Sequence, residues 1–112
     1  MKTVSVANDF SRYPGGRFRK NGPFSGEEFR EDVLIPALRG SDEMIKIDFD
    51  GAMGYAPAFL DESFGGAVRL RVVTKEDLHR RLELVIKSRP SVVKEAWGYI
   101  DNATPGKMLD CS

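Results

Sequence analysis

Four carboxylates, Asp48, Asp50, Asp61 and Glu62, stand on the two sides of one short segment where a strand end feeds a helix start. Brought together by such a junction, they could serve as an acid/base pair or hold magnesium, since both tasks need carboxylate oxygens converging on one point. A second set is basic. Arg12, Arg17, Arg19 and Lys20 flank Pro14-Gly15-Gly16, and a glycine-bearing loop with guanidinium groups suits a phosphate or a partner's carboxylate. The loop lacks the Gly-Lys-Ser/Thr ending of a P-loop.

Each set also has a structural reading, and in both cases it is the stronger one. Asp61 and Glu62 fall in the first turn or so of the expected helix, where acidic side chains favour the dipole, and Asp50-Gly51 is common turn chemistry. The basic loop reads as an exposed hairpin tip with ordinary charges. His79 is the single histidine and Cys111, beside the carboxyl end, the single cysteine. That excludes the usual zinc constellations and an internal disulfide, suits a reduced compartment, and leaves the thiol frayed and inert. Without a nucleophile–base pair, the sequence points to no catalytic residue, no metal and no cofactor.

The elements that must position these residues follow from hydrophobic spacing. Val4 and Val6 alternate with Thr3, Ser5 and Ala7, giving a first strand before a turn region from Asp9 to Gly16. Arg17-Phe18-Arg19 then reads either as a short strand closing a hairpin or as an irregular basic loop. Ser25-Gly26-Glu27-Glu28 is a capping box: the Ser25 hydroxyl accepts from the Glu28 N–H, the Glu28 carboxylate from the Ser25 N–H, and Phe24 and Phe29 hold the staple positions. The helix it opens places Phe29, Val33, Leu34, Ala37 and Leu38 on one side; Pro36 should kink its last turn and Gly40 end it.

Ile45, Ile47 and Phe49 alternate with Lys46, Asp48 and Asp50 in a central strand. Pro57 suits a first helical position, after which Phe59, Leu60, Phe64, Ala67 and Val68 form one apolar stripe. Thr74-Lys75-Glu76-Asp77 caps a short helix through about Arg80, and Leu82, Leu84 and Ile86 alternate as a further strand. Pro90 opens a last helix with Val93, Ala96, Trp97 and Ile100 on its core face and Tyr99 off it, ending near Asn102.

The 112-residue chain, 41% hydrophobic and 30% charged, is long enough for one core and too short for two. Residues 1–104 therefore read as a single domain and residues 105–112 as a loose tail. Seventeen basic residues balance seventeen acidic ones, so no bulk field draws the chain to nucleic acid. No apolar run spans a bilayer and Met1 to Val6 has no secretory core, so a cytosolic compartment is expected, with no membrane partner. All three strands keep a polar side, which implies an α/β fold: a small mixed sheet with helices packed on one face. Lys46, Asp48, Arg81, Glu83 and Lys87 should lie on the open face.

Four segments, Arg12-Tyr13-Pro14-Gly15-Gly16-Arg17, Gly22-Pro23-Phe24-Ser25-Gly26-Glu27-Glu28-Phe29-Arg30, Ile47-Asp48-Phe49-Asp50-Gly51 and Phe59-Leu60-Asp61-Glu62-Ser63-Phe64-Gly65-Gly66, together resemble the bacterial STAS-like domain family of unknown function. They span about the first two thirds of the chain. That family is named for its similarity to sulfate-transporter and anti-sigma-factor-antagonist domains, so the resemblance implies a STAS-like sheet with one-sided helices and a non-enzymatic binding role. In the antagonists, a serine at the start of the helix after the central strand is phosphorylated by a histidine-kinase-like ATPase partner, which breaks the complex. The matching stretch here, Tyr55-Ala56-Pro57-Ala58, has no serine or threonine, and Ser63 lies more than a turn inside the helix.

The resemblance therefore implies regulation by protein–protein binding, with such an ATPase as the expected partner and without the phosphoswitch. The contact surface would comprise Tyr55, Ala56, Pro57, Ala58, Phe59 and Glu62; Arg12, Arg17 and Arg19 are the anion-binding candidates. The alternative is a small phosphate- or nucleotide-binding protein or enzyme using the Asp50–Glu62 junction. That alternative needs convergent polar groups where this chain supplies mainly apolar ones.

Overall fold

In the computed structural model, which describes residues 1–105, three short strands carry the expected alternation. Strands β1 (Lys2–Ser5), β2 (Ile45–Asp48) and β3 (Leu82–Val85) lie side by side in that order. Val4 sits opposite Ile47 and Ile47 opposite Leu84, so a row of buried aliphatic side chains crosses the sheet. On the other face Thr3, Lys46 and Glu83 lie in register, and Glu83 and Lys87 are exposed while Lys46 and Asp48 are half-buried. Helices thus cover one face, as the alternation requires.

Both strand pairings are parallel, where a mixed sheet was expected. Alternation reports which face of a strand is wet and carries no information on its direction. Direction is set by the connections: helical segments separate consecutive strands, and such crossovers return the chain to the end from which the previous strand began.

Helix α1 covers residues 26–40 in three parts: Gly26–Phe29, a wider π-helical turn Arg30–Leu34, and Ile35–Gly40. Ser25 caps it, its Oγ accepting from the Glu28 N–H at 3.1 Å. The reciprocal bond differs from the expected one: Glu28 Oε1 accepts from the Phe24 N–H, at 3.0 Å. Phe24 is held at φ 57°, a left-handed conformation that costs a non-glycine residue of order 1–3 kcal/mol. The disturbance expected at Pro36 appears one turn earlier, where the Ile35 N–H reaches back five residues to the Arg30 carbonyl. Pro36 then falls in a first turn, where a missing donor is tolerated.

Helix α2 covers residues 57–69 as Pro57–Leu60, a π-helical turn Asp61–Gly65, and Gly66–Arg69. Its stripe Phe59, Leu60, Phe64, Ala67 and Val68 is buried as expected. Phe29, Phe49, Phe59 and Phe64 build an aromatic core with centroids 5.8 to 6.0 Å apart, each buried ring contributing about 1.5–3 kcal/mol of transfer free energy. Phe10, at the end of a wide turn Val6–Phe10, packs on Phe24, Phe29 and Phe59. The staple expected between Phe24 and Phe29 is thus made through Phe10.

Helix α3 (Lys75–Arg81) is capped by Thr74 as expected, and α4 (Ser91–Asn102) closes the described chain. In α4 the buried positions are Val92, Ala96 and Ile100. Trp97, expected in the core, sits at its margin instead, stacked on His79 at 4.4 Å with Asp101 Oδ1 2.6 Å from His79 Nε2. A stripe with strict four-residue spacing leaves the neighbouring 93/97 row half-buried. No helix among the described residues is long and apolar enough to cross a membrane. Cys111 and all of the tail except Pro105 lie outside the described residues.

Candidate functional site

The loops that leave β1 and β2 and the segment after β3 meet at one end of the sheet, here termed the mouth. Parallel α/β sheets bind their ligands at this end. After β2 the chain turns at Gly51, whose φ of +96° favours glycine and whose added Cβ would stand 3.0 Å from Ala7. Asp50 ties the exit of β2 to that of β3: its carboxylate accepts from the N–H groups of Lys87 (2.8 Å) and Ser88 (3.1 Å) and from the Ser88 hydroxyl (2.9 Å). The Lys87 N–H, followed by the Ser88 bonds, holds the Asp50 carboxyl below its ordinary range. Asp48 Oδ1 accepts from the Asp50 N–H at 2.9 Å.

Tyr55 is half-buried, its ring edge-on to Phe49 and its hydroxyl donating to the Phe49 carbonyl at 2.7 Å. Burial pushes its phenol well above the usual value, so it stays neutral. Ala56 and Pro57 are exposed and Ala58 half-buried, at a helix start where no side chain caps the turn. Phe59, expected on this contact surface, is fully buried and belongs to the core.

The surface is extended by residues that spacing alone does not single out. Met53 is 73% and Tyr13 67% exposed, and the Met53 N–H donates to the Arg12 carbonyl at 2.8 Å. Gly15 in turn donates to the carbonyl of the strained Phe24, itself 38% exposed. Arg89 Nη2 reaches the Ala52 carbonyl at 3.4 Å. A large apolar residue between two loop glycines, as Met53 is between Gly51 and Gly54, was the available signal.

A second region, the junction of α1 and α2, holds the charges expected to do chemistry. Arg30, its side chain 4% exposed, pairs through Nη1 with Glu62 Oε2 and donates to the Glu62 carbonyl at 2.9 Å. Arg17 spans Asp61 (2.8 Å) and Glu62 (3.2 Å), and Arg69 meets Asp61 at 2.9 Å. Burial raises the Asp61 carboxyl, but Arg69 and Arg17 together outweigh it and hold it below its ordinary value. Glycines make room for the guanidinium groups: a Cβ on Gly66 would stand 2.5 Å from Arg30 Nη1, and one on Gly65 3.0 Å from Arg69 Nη1. Ser63 is buried here, donating to the Gly26 carbonyl at 3.2 Å.

Glu62 is therefore an internal ion-pair partner and not part of an open contact surface. Asp50 and Glu62 belong to separate networks and do not converge, and Asp61 and Glu62 lie in the second turn of α2. Among the described residues no group of three or more His, Cys, Asp or Glu side chains is placed to hold a metal. Nor do the three arginines form an anion cradle. Arg17 is consumed by α2, and Arg19 pairs with Glu31 (3.2 Å) and Asp32 (3.0 Å) on α1. The basic stretch is the irregular loop, with a single short turn Arg19–Asn21.

A family model described as a STAS-like domain of unknown function matches residues 25–85, more than half of the chain. The chain belongs to that family. No curated protein and no solved structure matches it. In this STAS-like domain the matched span opens on the cap Ser25 and closes on the last residue of β3, so it contains the α1–α2 junction except for Arg17. The mouth is divided: Met53 to Ala58 lie within the span, Arg12, Tyr13 and Arg89 outside it.

Proposed function

We propose that this STAS-like domain is a cytosolic bacterial regulatory module that acts by binding another protein at the mouth, with a histidine-kinase-like ATPase as the partner class suggested by its likeness to anti-sigma-factor antagonists. The observation that carries this reading is the concentration of exposed apolar groups there: Tyr13, Met53, Ala56 and Pro57 on loops joined by backbone hydrogen bonds. Scattered surface hydrophobics are ordinary, whereas a contiguous patch rimmed by charge is what binding surfaces present. The role is non-enzymatic in this reading, because the carboxylates of the Asp50–Glu62 region are spent on backbone caps and arginines.

Phosphorylation does not control the contact in this account. Ser63 is buried and hydrogen-bonded, and the Tyr55 hydroxyl is held by a backbone carbonyl. The test is capture of the partner from the native host, followed by its affinity for wild type and for Ala58→Asp, with circular dichroism to establish that both are folded. An unpaired charge desolvated in the contact costs on the order of several kcal/mol, so binding should fall by at least about a hundredfold. Unchanged affinity would remove this surface from consideration. Nucleotide or phosphoester turnover by the purified chain, lost in Asp50→Ala, would favour the enzymatic alternative.

A further inference from the structure

We infer that the mouth recognises a protein segment presenting an apolar side chain flanked by carboxylates. This rests on the reading of the mouth as a contact surface and adds the partner's chemistry. Met53 lies between two guanidinium-bearing residues. On one side its N–H is bonded to the Arg12 carbonyl; on the other, Arg89 Nη2 reaches Ala52, and an added Cβ on Gly54 would stand 3.6 Å from Arg89 Nη1. Tyr13 follows Arg12, and Ala56 and Pro57 continue the exposed floor.

The charges around this floor are unequally engaged. Among the described residues neither Arg12 nor Arg89 has an ion-pair partner. The neighbouring carboxylates are engaged within the fold: Asp50 by Lys87 and Ser88, Asp61 and Glu62 by arginines, and Asp48 and Glu28 through one oxygen each by the N–H groups of Asp50 and Phe24. An arriving carboxylate finds two guanidinium groups without ion-pair partners, whereas the carboxylates an arriving ammonium would meet are already engaged within the fold, Asp50 by three donors and Asp61 and Glu62 by arginines. The apolar floor and zero net charge favour a protein over a nucleic acid, which would call for a longer basic stripe.

Two synthetic helical peptides of about four turns test this. They share one Leu/Phe face and differ only in carrying Glu or Lys along its margins. Each is titrated into the full chain while amide NMR signals are followed. The Glu peptide should bind at least about tenfold more tightly than the Lys peptide, moving signals of residues 12–13, 52–58 and 87–89. The double variant Arg12→Glu with Arg89→Glu, its fold checked by circular dichroism, should invert the preference.

Equal affinities with shifts still at 52–58 would overturn the charge inference and leave the contact surface standing. Shifts confined to other elements would overturn both. No binding of the Glu peptide, or tighter binding of a single-stranded DNA at the same residues, would also overturn it.

Discussion

Two regions lie along helix α2, one at its middle and one where loops meet its start, and both contain arginines, with opposite outcomes. In its middle, Asp61 and Glu62 meet Arg17, Arg30 and Arg69, and two glycines let the guanidinium groups lie close; the charges there are paired within the fold. At its start, Arg12 and Arg89 flank Met53 without ion-pair partners, and Ala56 and Pro57 are open to solvent. Pairing, rather than residue type, separates the structural cluster from the proposed contact surface. The family span follows this division, taking in nearly all of the junction and only part of the mouth.

The comparison breaks if the junction can be dismantled cheaply. Glu62→Ala leaves Arg30, buried against α2, with only the more distant and exposed Glu31 at 3.4 Å as a carboxylate partner, and loss of one partner of a buried pair costs about 3–5 kcal/mol. Urea unfolding should show that loss, the largest expected here; a change within about 0.5 kcal/mol, the range of ordinary surface substitutions, would place the junction among them. Gly26→Ala comes next. Its Cβ would stand 2.6 Å from the Phe59 backbone carbonyl, so α1 and α2 must separate, and overpacking of this kind costs about 1–3 kcal/mol.

Acid sharpens the contrast. The Asp61 carboxyl is lower in the folded chain than unfolded, so its contribution is present above the unfolded value and is lost as pH falls through the folded one. Thermal midpoints should therefore decline on acidification below the usual carboxylate range, and Asp61→Asn should show a shallower decline. The smallest stability effect belongs to the mouth. Met53→Ser should change unfolding free energy by no more than about 0.5 kcal/mol while weakening partner binding, which calorimetry on the captured complex would register.

Much of the fold was legible because apolar spacing and caps act locally. Ser25 and Thr74 cap their helices, Pro57 opens α2, and the three alternating runs bury the expected side chains except Ile86, which is half-buried beyond the end of β3. Strand direction was not legible, since alternation is the same in parallel and antiparallel strands. The π-helical turns inside α1 and α2 were missed as well, because they arise where helix meets helix and leave no mark in periodicity. At the site, Ala56 and Pro57 are exposed and Tyr55 and Ala58 half-buried, whereas Phe59 is fully buried and Glu62 is paired inside the fold. Phe59 belongs to the buried stripe already read from its spacing, and Glu62 is claimed by Arg30, thirty-two residues away, a pairing that only tertiary structure brings about. The same distance effect took Arg17 from the anion candidates.

Hydrogen exchange on the chain with and without its captured partner tests the central claim most directly, because it reads the contact residue by residue without a substitution. The account predicts new protection at residues 12–13, 52–58 and 87–89, with exchange in the α1–α2 junction unchanged. Protection confined to the β1 edge or to α4, with the mouth exchanging as in the free chain, would contradict it.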